Sequence, residues 1–126
     1  MKKNDGQSLI EMIVAIAVVL IVVVALVAIT TVSIRNANFS RNQALATKYA
    51  QEGIEKVRAY RDQTDWATFT GNCQAPPGLT APPSPFTRTI TCPGNGDTRE
   101  VKVVVSWTDA QGPHKSELTT YLTKWK

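Results

Sequence analysis

One carboxylate, two thiols and one imidazole are the side chains with the most chemical reach in this chain of 126 residues. Glu11 stands at the head of an apolar run, where a charge needs a partner or a use. Cys73 and Cys92 lack the spacing of a metal site, and the single histidine, His114, supplies no ligand cluster. His114 follows Gly112-Pro113 in an expected turn, with no nucleophile beside it. Ser84, Ser106 and Ser116 lack the Gly-x-Ser-x-Gly setting of a nucleophile elbow. Asp97 and Asp109 fall in separate expected turns and make no calcium loop. Nothing resembles a phosphate-binding loop. The sequence therefore predicts no catalytic residue, no metal and no cofactor. Each of these polar groups is expected to be a solvated turn or strand residue, which leaves Glu11 to be explained.

From Met12 to Ile29 run eighteen residues without a polar side chain, thirteen of them Val, Ile or Leu. As a helix the run rises roughly 27 Å, close to the ~30 Å thickness of bilayer hydrocarbon. At about −0.3 to −0.6 kcal/mol for each branched aliphatic residue, insertion is favoured by several kcal/mol. Glu11 at the edge opposes it by at most ~3 kcal/mol, so insertion wins. A secretory signal would have a shorter apolar segment ending at a small-residue cleavage site. Here the nearest such match, Ala15 to Ala17, lies inside the run. A plain single-pass anchor is the simplest alternative, but it has no use for Glu11. A buried helix of a soluble core is excluded by size, because so short a chain cannot surround it.

Lys2 and Lys3 precede the run and predict a cytoplasmic N-terminus with an exported C-terminal portion. Both cysteines lie in that portion. In an oxidising compartment a Cys73–Cys92 disulfide is the default, worth roughly 3 kcal/mol for a loop of about 20 residues. The alternative is two reduced, buried thiols. Net charge is +4, and the mean hydropathy of −0.13 averages two unlike halves.

Between Ser33 and Asp62 there is no proline and one glycine, Gly53. Ala46, Ala50, Gly53, Val57 and Tyr60 recur at spacings of four and three, flanked by Tyr49 and Ile54, which makes one helical face apolar. Lys48, Glu52, Glu55 and Lys56 fall mostly on the other side, with Glu52–Lys56 and Glu55–Arg58 as pairs of favourable order. Gly53 marks a place where a sheet comes close to the helix backbone. No breaker separates the halves, so one helix is predicted from Gln7 to about Arg61, roughly 80 Å long.

Asp62-Gln63-Thr64-Asp65 ends the pattern, and Trp66 and Phe69 are expected to fold back onto the head. Residues 71–87 hold five of the seven prolines and read as a stiff surface loop. Three alternating runs follow: Phe86, Arg88, Ile90 and Cys92; Val101, Val103, Val105 and Trp107; Leu118, Thr120 and Leu122. Turns are expected at 93–97 and 109–113. The predicted class is α+β: a long N-terminal helix, transmembrane in its first half, packed on a small antiparallel three-stranded sheet.

The N-terminus resembles that of type IV prepilins and pseudopilins. Met1-Lys2-Lys3-Asn4-Asp5-Gly6 looks like their short basic leader ending in Gly, and Glu11 stands fifth after a cut between Gly6 and Gln7. Gln7 departs from the Phe or Met more often found first after the cut. Ala50-Gln51-Glu52-Gly53-Ile54-Glu55 and the Val-rich strand ending at Trp107 look like minor pilins of the V type. The order of elements is similar to the pilin fold throughout.

The resemblance implies a leader at 1–6, an assembly half at 7–34 and an amphipathic half at 35–62. A connecting loop at 63–87 and a β-meander at 88–126 complete the chain. It also implies cleavage at Gly6–Gln7 by a prepilin peptidase, N-methylation of Gln7, and a register role for Glu11. In that role Glu11 meets the new amine of its own chain or of a neighbour.

The expected function is structural: a minor pilin or pseudopilin of a pilus, competence filament or type II secretion pseudopilus. Its partners would be other pilin subunits, the peptidase and an inner-membrane assembly platform. Its location would be first the inner membrane, then a periplasmic or surface filament.

A competing reading is a tip-located module that binds DNA or a surface. Arg88, Arg99, Lys102, Lys115, Lys124 and Lys126 would supply charge, and Trp107, Tyr121 and Trp125 would supply stacking. Glu100 and Glu117 interrupt that patch, and a solvated sheet face is the simpler expectation.

Overall fold

The computed structural model describes the backbone from residue 5 to residue 124 and side chains from residue 8 onward. Met1 to Asn4 of the expected leader, and the two residues Trp125 and Lys126, lie outside the described residues. The elements are α1 (Asp5–Gln63), α2 (Trp66–Asn72), β1 (Thr87–Thr91), β2 (Thr98–Asp109) and β3 (Gly112–Thr123). The strands form one antiparallel sheet in the order β1-β2-β3. The class is α+β, as the periodicities predict.

The chain divides into two units, Met1–Ser40 and Arg41–Lys126. In the first, every described side chain from Ser8 to Ser40 is exposed. In the second, the C-terminal part of α1 packs on the sheet. Ala46, Ala50, Ile54 and Val57 of α1 share a core with Phe69, Cys73, Phe86, Ile90, Val101, Val103, Val105, Trp107 and Leu122. That core joins the 3.6-residue stripe of the helix to the two-residue alternation of the strands. Thr47 Oγ1 and Ser116 Oγ lie 3.1 Å apart across the helix–sheet layer, so the buried serine is satisfied.

Gly53 is where helix and sheet come closest. A Cβ there would stand 3.0 Å from Val103 Cγ1 and 3.2 Å from Arg88 Cδ. Gly53→Leu would gain about 1 kcal/mol of helix propensity and force a whole side chain into filled space, at ~1–3 kcal/mol or more. The expected net result is destabilisation, read as a lower guanidinium midpoint for the head. An unchanged or higher midpoint would show that the sheet yields at no cost.

Two stretches differ from the sequence reading. The segment read as loop at 63–87 opens with α2, a helix of 7 residues. Asp65 caps it, accepting from Thr68 N at 3.0 Å and from Thr68 Oγ1 at 2.7 Å. Phe69 anchors it, with no exposed surface.

The second turn is also shorter than expected. Only Ala110 and Gln111 separate β2 from β3, because the Asp109 carboxylate accepts from Gln111 N at 2.8 Å and Gly112 takes φ 121°. Pro113 and His114 therefore belong to β3, opposite Thr108 and Trp107. An edge strand tolerates a residue without an N–H.

Candidate assembly segment and the surfaces of the head

The N-terminal unit is built for an apolar solvent. Its apolar residues, Met12 to Ile29, are all exposed, so length and composition suit a membrane crossing. No charged residue occurs between Glu11 and Arg35. The hydroxyls of Thr30 and Thr31 both donate to Val27 O, at 2.8 and 2.9 Å. Their polarity is thus satisfied within the helix, and the span continues past Ile29 at little cost.

Glu11 is exposed on this helix, one turn beyond Gln7, so positions 7 and 11 share a face. The expected cut between Gly6 and Gln7 falls in the first turn of α1, which starts at Asp5. The side chain of Gln7 lies outside the described residues.

Among the described residues, the basic side chains considered for binding are not all presented on one surface. Arg88 points inward, its side chain 3% exposed. It donates from Nη1 to Tyr49 O at 2.9 Å and from Nη2 to Thr80 O, with Glu52 Oε2 3.9 Å away. It therefore fastens helix, loop and β1 together. Arg99 donates to Gly94 O. Lys102 pairs with Glu117 at 3.0 Å on the outer face, and that hydrogen bond, with the attraction of the carboxylate, raises the ammonium above its ordinary range. Lys115 and Lys124 are exposed, and Trp107 is buried while Tyr121 is exposed. Of the aromatics considered for stacking, Trp107 is therefore closed to a ligand and Tyr121 is open, while Trp125 lies outside the described residues.

Of the polar groups considered for catalysis, His114 and Asp109 are brought together. His114 Nε2 lies 2.9 Å from Asp109 Oδ1, and its ring packs on Trp107 with centroids 5.4 Å apart. Partial burial pushes the Asp109 carboxyl upward. The His114 hydrogen bond, the Gln111 amide, the His114 charge and the Gly112 amide together outweigh it and hold the group below the usual carboxylate range. Asp65 is lowered by the Thr68 hydroxyl and then the Thr68 amide, which fits its capping role. Ser116 is buried against Thr47, and Ser84 and Ser106 are exposed. Among the described residues no three His, Cys, Asp or Glu side chains are grouped to hold a metal.

Cys73 and Cys92 are joined as a disulfide, with Cα atoms 6.5 Å apart. The bond ties the C-cap of α2 to the residue that follows β1. Sequence reasoning missed α2 and the inward role of Arg88. The Asp65-x-x-Thr68 spacing was the available signal for the first. The placement of Arg88 on the same alternation as Ile90 was the signal for the second.

Residues 1–30 match the family model described as the prokaryotic N-terminal methylation motif, which supports a type IV pilin-like precursor. No curated protein and no solved structure matches the chain.

Proposed function

We propose that the chain is a minor pilin or pseudopilin, a structural subunit of a type IV pilus or a related filament. The observation that carries this reading is an uninterrupted, exposed apolar run headed by Glu11, within the stretch that matches the methylation motif. In a membrane that helix needs no partner. Lateral packing against the same helix of neighbouring subunits would remove it from lipid and give Glu11 a positive group to meet.

Cleavage after Gly6 creates that group. The new α-amine on Gln7 has an ordinary pKa of about 7.7–8.0 and carries positive charge at the positive end of the helix dipole, an unfavourable place. A carboxylate at the position of Glu11 offsets it, within one chain or between two. In a bundle of low dielectric an unpaired charge is costly, so pairing sets axial register as well as attraction. A peptidase, an assembly platform in the inner membrane and other pilin subunits are the partners this role requires. The head would be exported, where the disulfide persists.

Mass spectrometry of the chain purified from its native membrane tests the reading in one measurement. The expected mass lacks residues 1–6, carries a methyl group on Gln7 and retains the Cys73–Cys92 bond. Recovery of the chain with Lys2 and Lys3 still attached, in cells that trim their other prepilins, would overturn it in favour of a plain anchored domain.

A further inference from the structure

The turn between β1 and β2 is a point of attachment for three other parts of the head. Four of its carbonyls each accept a hydrogen bond from a different group. Glu100 N donates to Pro93 O at 2.9 Å, and the Arg99 guanidinium donates to Gly94 O. Trp66 Nε1 donates to Gly96 O at 3.0 Å, and Lys124 N donates to Asp97 O at 2.7 Å. The residue at the centre, Asn95, is exposed. Gly94 and Gly96 hold φ values of 134° and 71°, and a Cβ on Gly96 would meet nothing within 4 Å. The turn thus holds α2 through Trp66 and the end of β3 through Lys124, and the only asparagine in the chain that precedes a glycine sits in its middle.

We propose that Asn95 is a site of spontaneous deamidation, and that its isoaspartyl product releases α2 from the turn. The chemistry needs only solvent. The Gly96 amide nitrogen, after losing its proton to water or hydroxide, attacks Cγ of Asn95. The new C–N bond closes a five-membered succinimide as the Cγ–NH2 bond breaks, and the amine leaves as ammonia with the proton returned. Water then adds to one of the two ring carbonyls and opens the ring. Opening at the side-chain carbonyl gives Asp with the original backbone. Opening at the backbone carbonyl gives isoaspartate, whose chain runs through the former side chain. Gly96 favours the first step because it has no side chain to obstruct the approach.

Geometry sets the consequence. Isoaspartate inserts a methylene between Gly94 and Gly96. Pro93 O and Gly94 O stay with β1 and β2, whereas Gly96 O and Asp97 O shift along the chain. The bonds to Trp66 and Lys124 are the ones that cannot follow. Plain Asp at this position adds a charge but leaves the carbonyls where they are.

The test ages the full-length protein in detergent in mildly alkaline buffer, beside Asn95→Ser and Asn95→Asp. Peptide mapping with electron-transfer fragmentation separates Asp from isoAsp. In the wild type the Asn95 peptide should lose its amide, while peptides carrying Asn36, Asn38, Asn42 and Asn72 keep theirs. Hydrogen exchange across 66–72 should quicken in the aged wild type, stay slow in aged Asn95→Ser, and be slow in Asn95→Asp measured before ageing, since Asp next to Gly96 can close the same ring with loss of water. Retention of the Asn95 amide overturns the modification site. Equal exchange across α2 in aged wild type and aged Asn95→Ser overturns the release.

Discussion

Glu11→Gln is expected to lower the share of the chain recovered in sheared filaments by about ten- to a hundredfold, while insertion and trimming at Gly6–Gln7 proceed. Two effects act in opposite directions. Glutamine has no charge to desolvate, so removing up to ~3 kcal/mol of opposition makes insertion easier. If burial cost alone decided assembly, the variant would bundle better than the wild type. A carboxylate that meets an amine inside the bundle reverses the sign, because its loss leaves that amine buried without a partner. A net loss of about 1.4–3 kcal/mol per subunit is a factor of ten to a hundred in partition. Immunoblots of sheared and membrane fractions read the partition directly, and the mass of the membrane form shows that cleavage still occurred. Recovery in filaments at the wild-type level would remove the register role from Glu11 and leave it a boundary residue of the span.

The architecture was legible where a single periodicity dominates. The eighteen apolar residues after Glu11 allow one state, and Val101, Val103, Val105 and Trp107 all lie buried as their alternation requires. Gly53 was readable as a close approach because a glycine in an apolar stripe is costly unless a neighbour occupies the missing side chain's space. Its neighbour is Val103. What escaped was decided by single side chains.

Arg88 reads as surface charge, since charged residues are rarely buried. Its alternation with Ile90 marks the inward direction, but the partners that satisfy it there, the backbone carbonyls of Tyr49 and Thr80, come from distant parts of the chain. α2 is short enough that one cap and one buried ring, Asp65 and Phe69, outweigh the polar and glycine-containing composition around them. The start of β3 moved three residues forward because the Asp109 carboxylate closes a turn of two residues, leaving Pro113 and His114 in the strand. The processing at Gly6 and Gln7 and the register role of Glu11 that we propose would arise in encounters with other molecules, and the match of residues 1–30 to the methylation motif is what supports them.

Replacing both cysteines, as Cys73→Ser with Cys92→Ser, is expected to cost the head roughly 3 kcal/mol through the unfolded chain, whose ends the 19-residue separation no longer constrains. Changing both avoids an unpaired thiol. The loss is large for this fold, because 86 residues in the unit Arg41–Lys126 carry about 4–13 kcal/mol in all.

The damage should be uneven. α1, β2 and β3 keep their shared core, with Val57, Val101, Val103 and Val105 fully buried. α2 and the proline-rich segment behind it lose a covalent tie and retain Phe69, the Trp66–Gly96 hydrogen bond and the Arg88–Thr80 contact. Guanidinium unfolding of the full chain in detergent, followed by tryptophan fluorescence, should show a lower midpoint for the double variant. Reductant added to the wild type should reproduce most of the fall. Hydrogen exchange should quicken first across 66–85 and last across β2. A midpoint that does not move, with wild-type exchange in α2, would mean that the noncovalent contacts of Phe69 and Arg88 already hold that layer and that the bond contributes nothing measurable to the folded head.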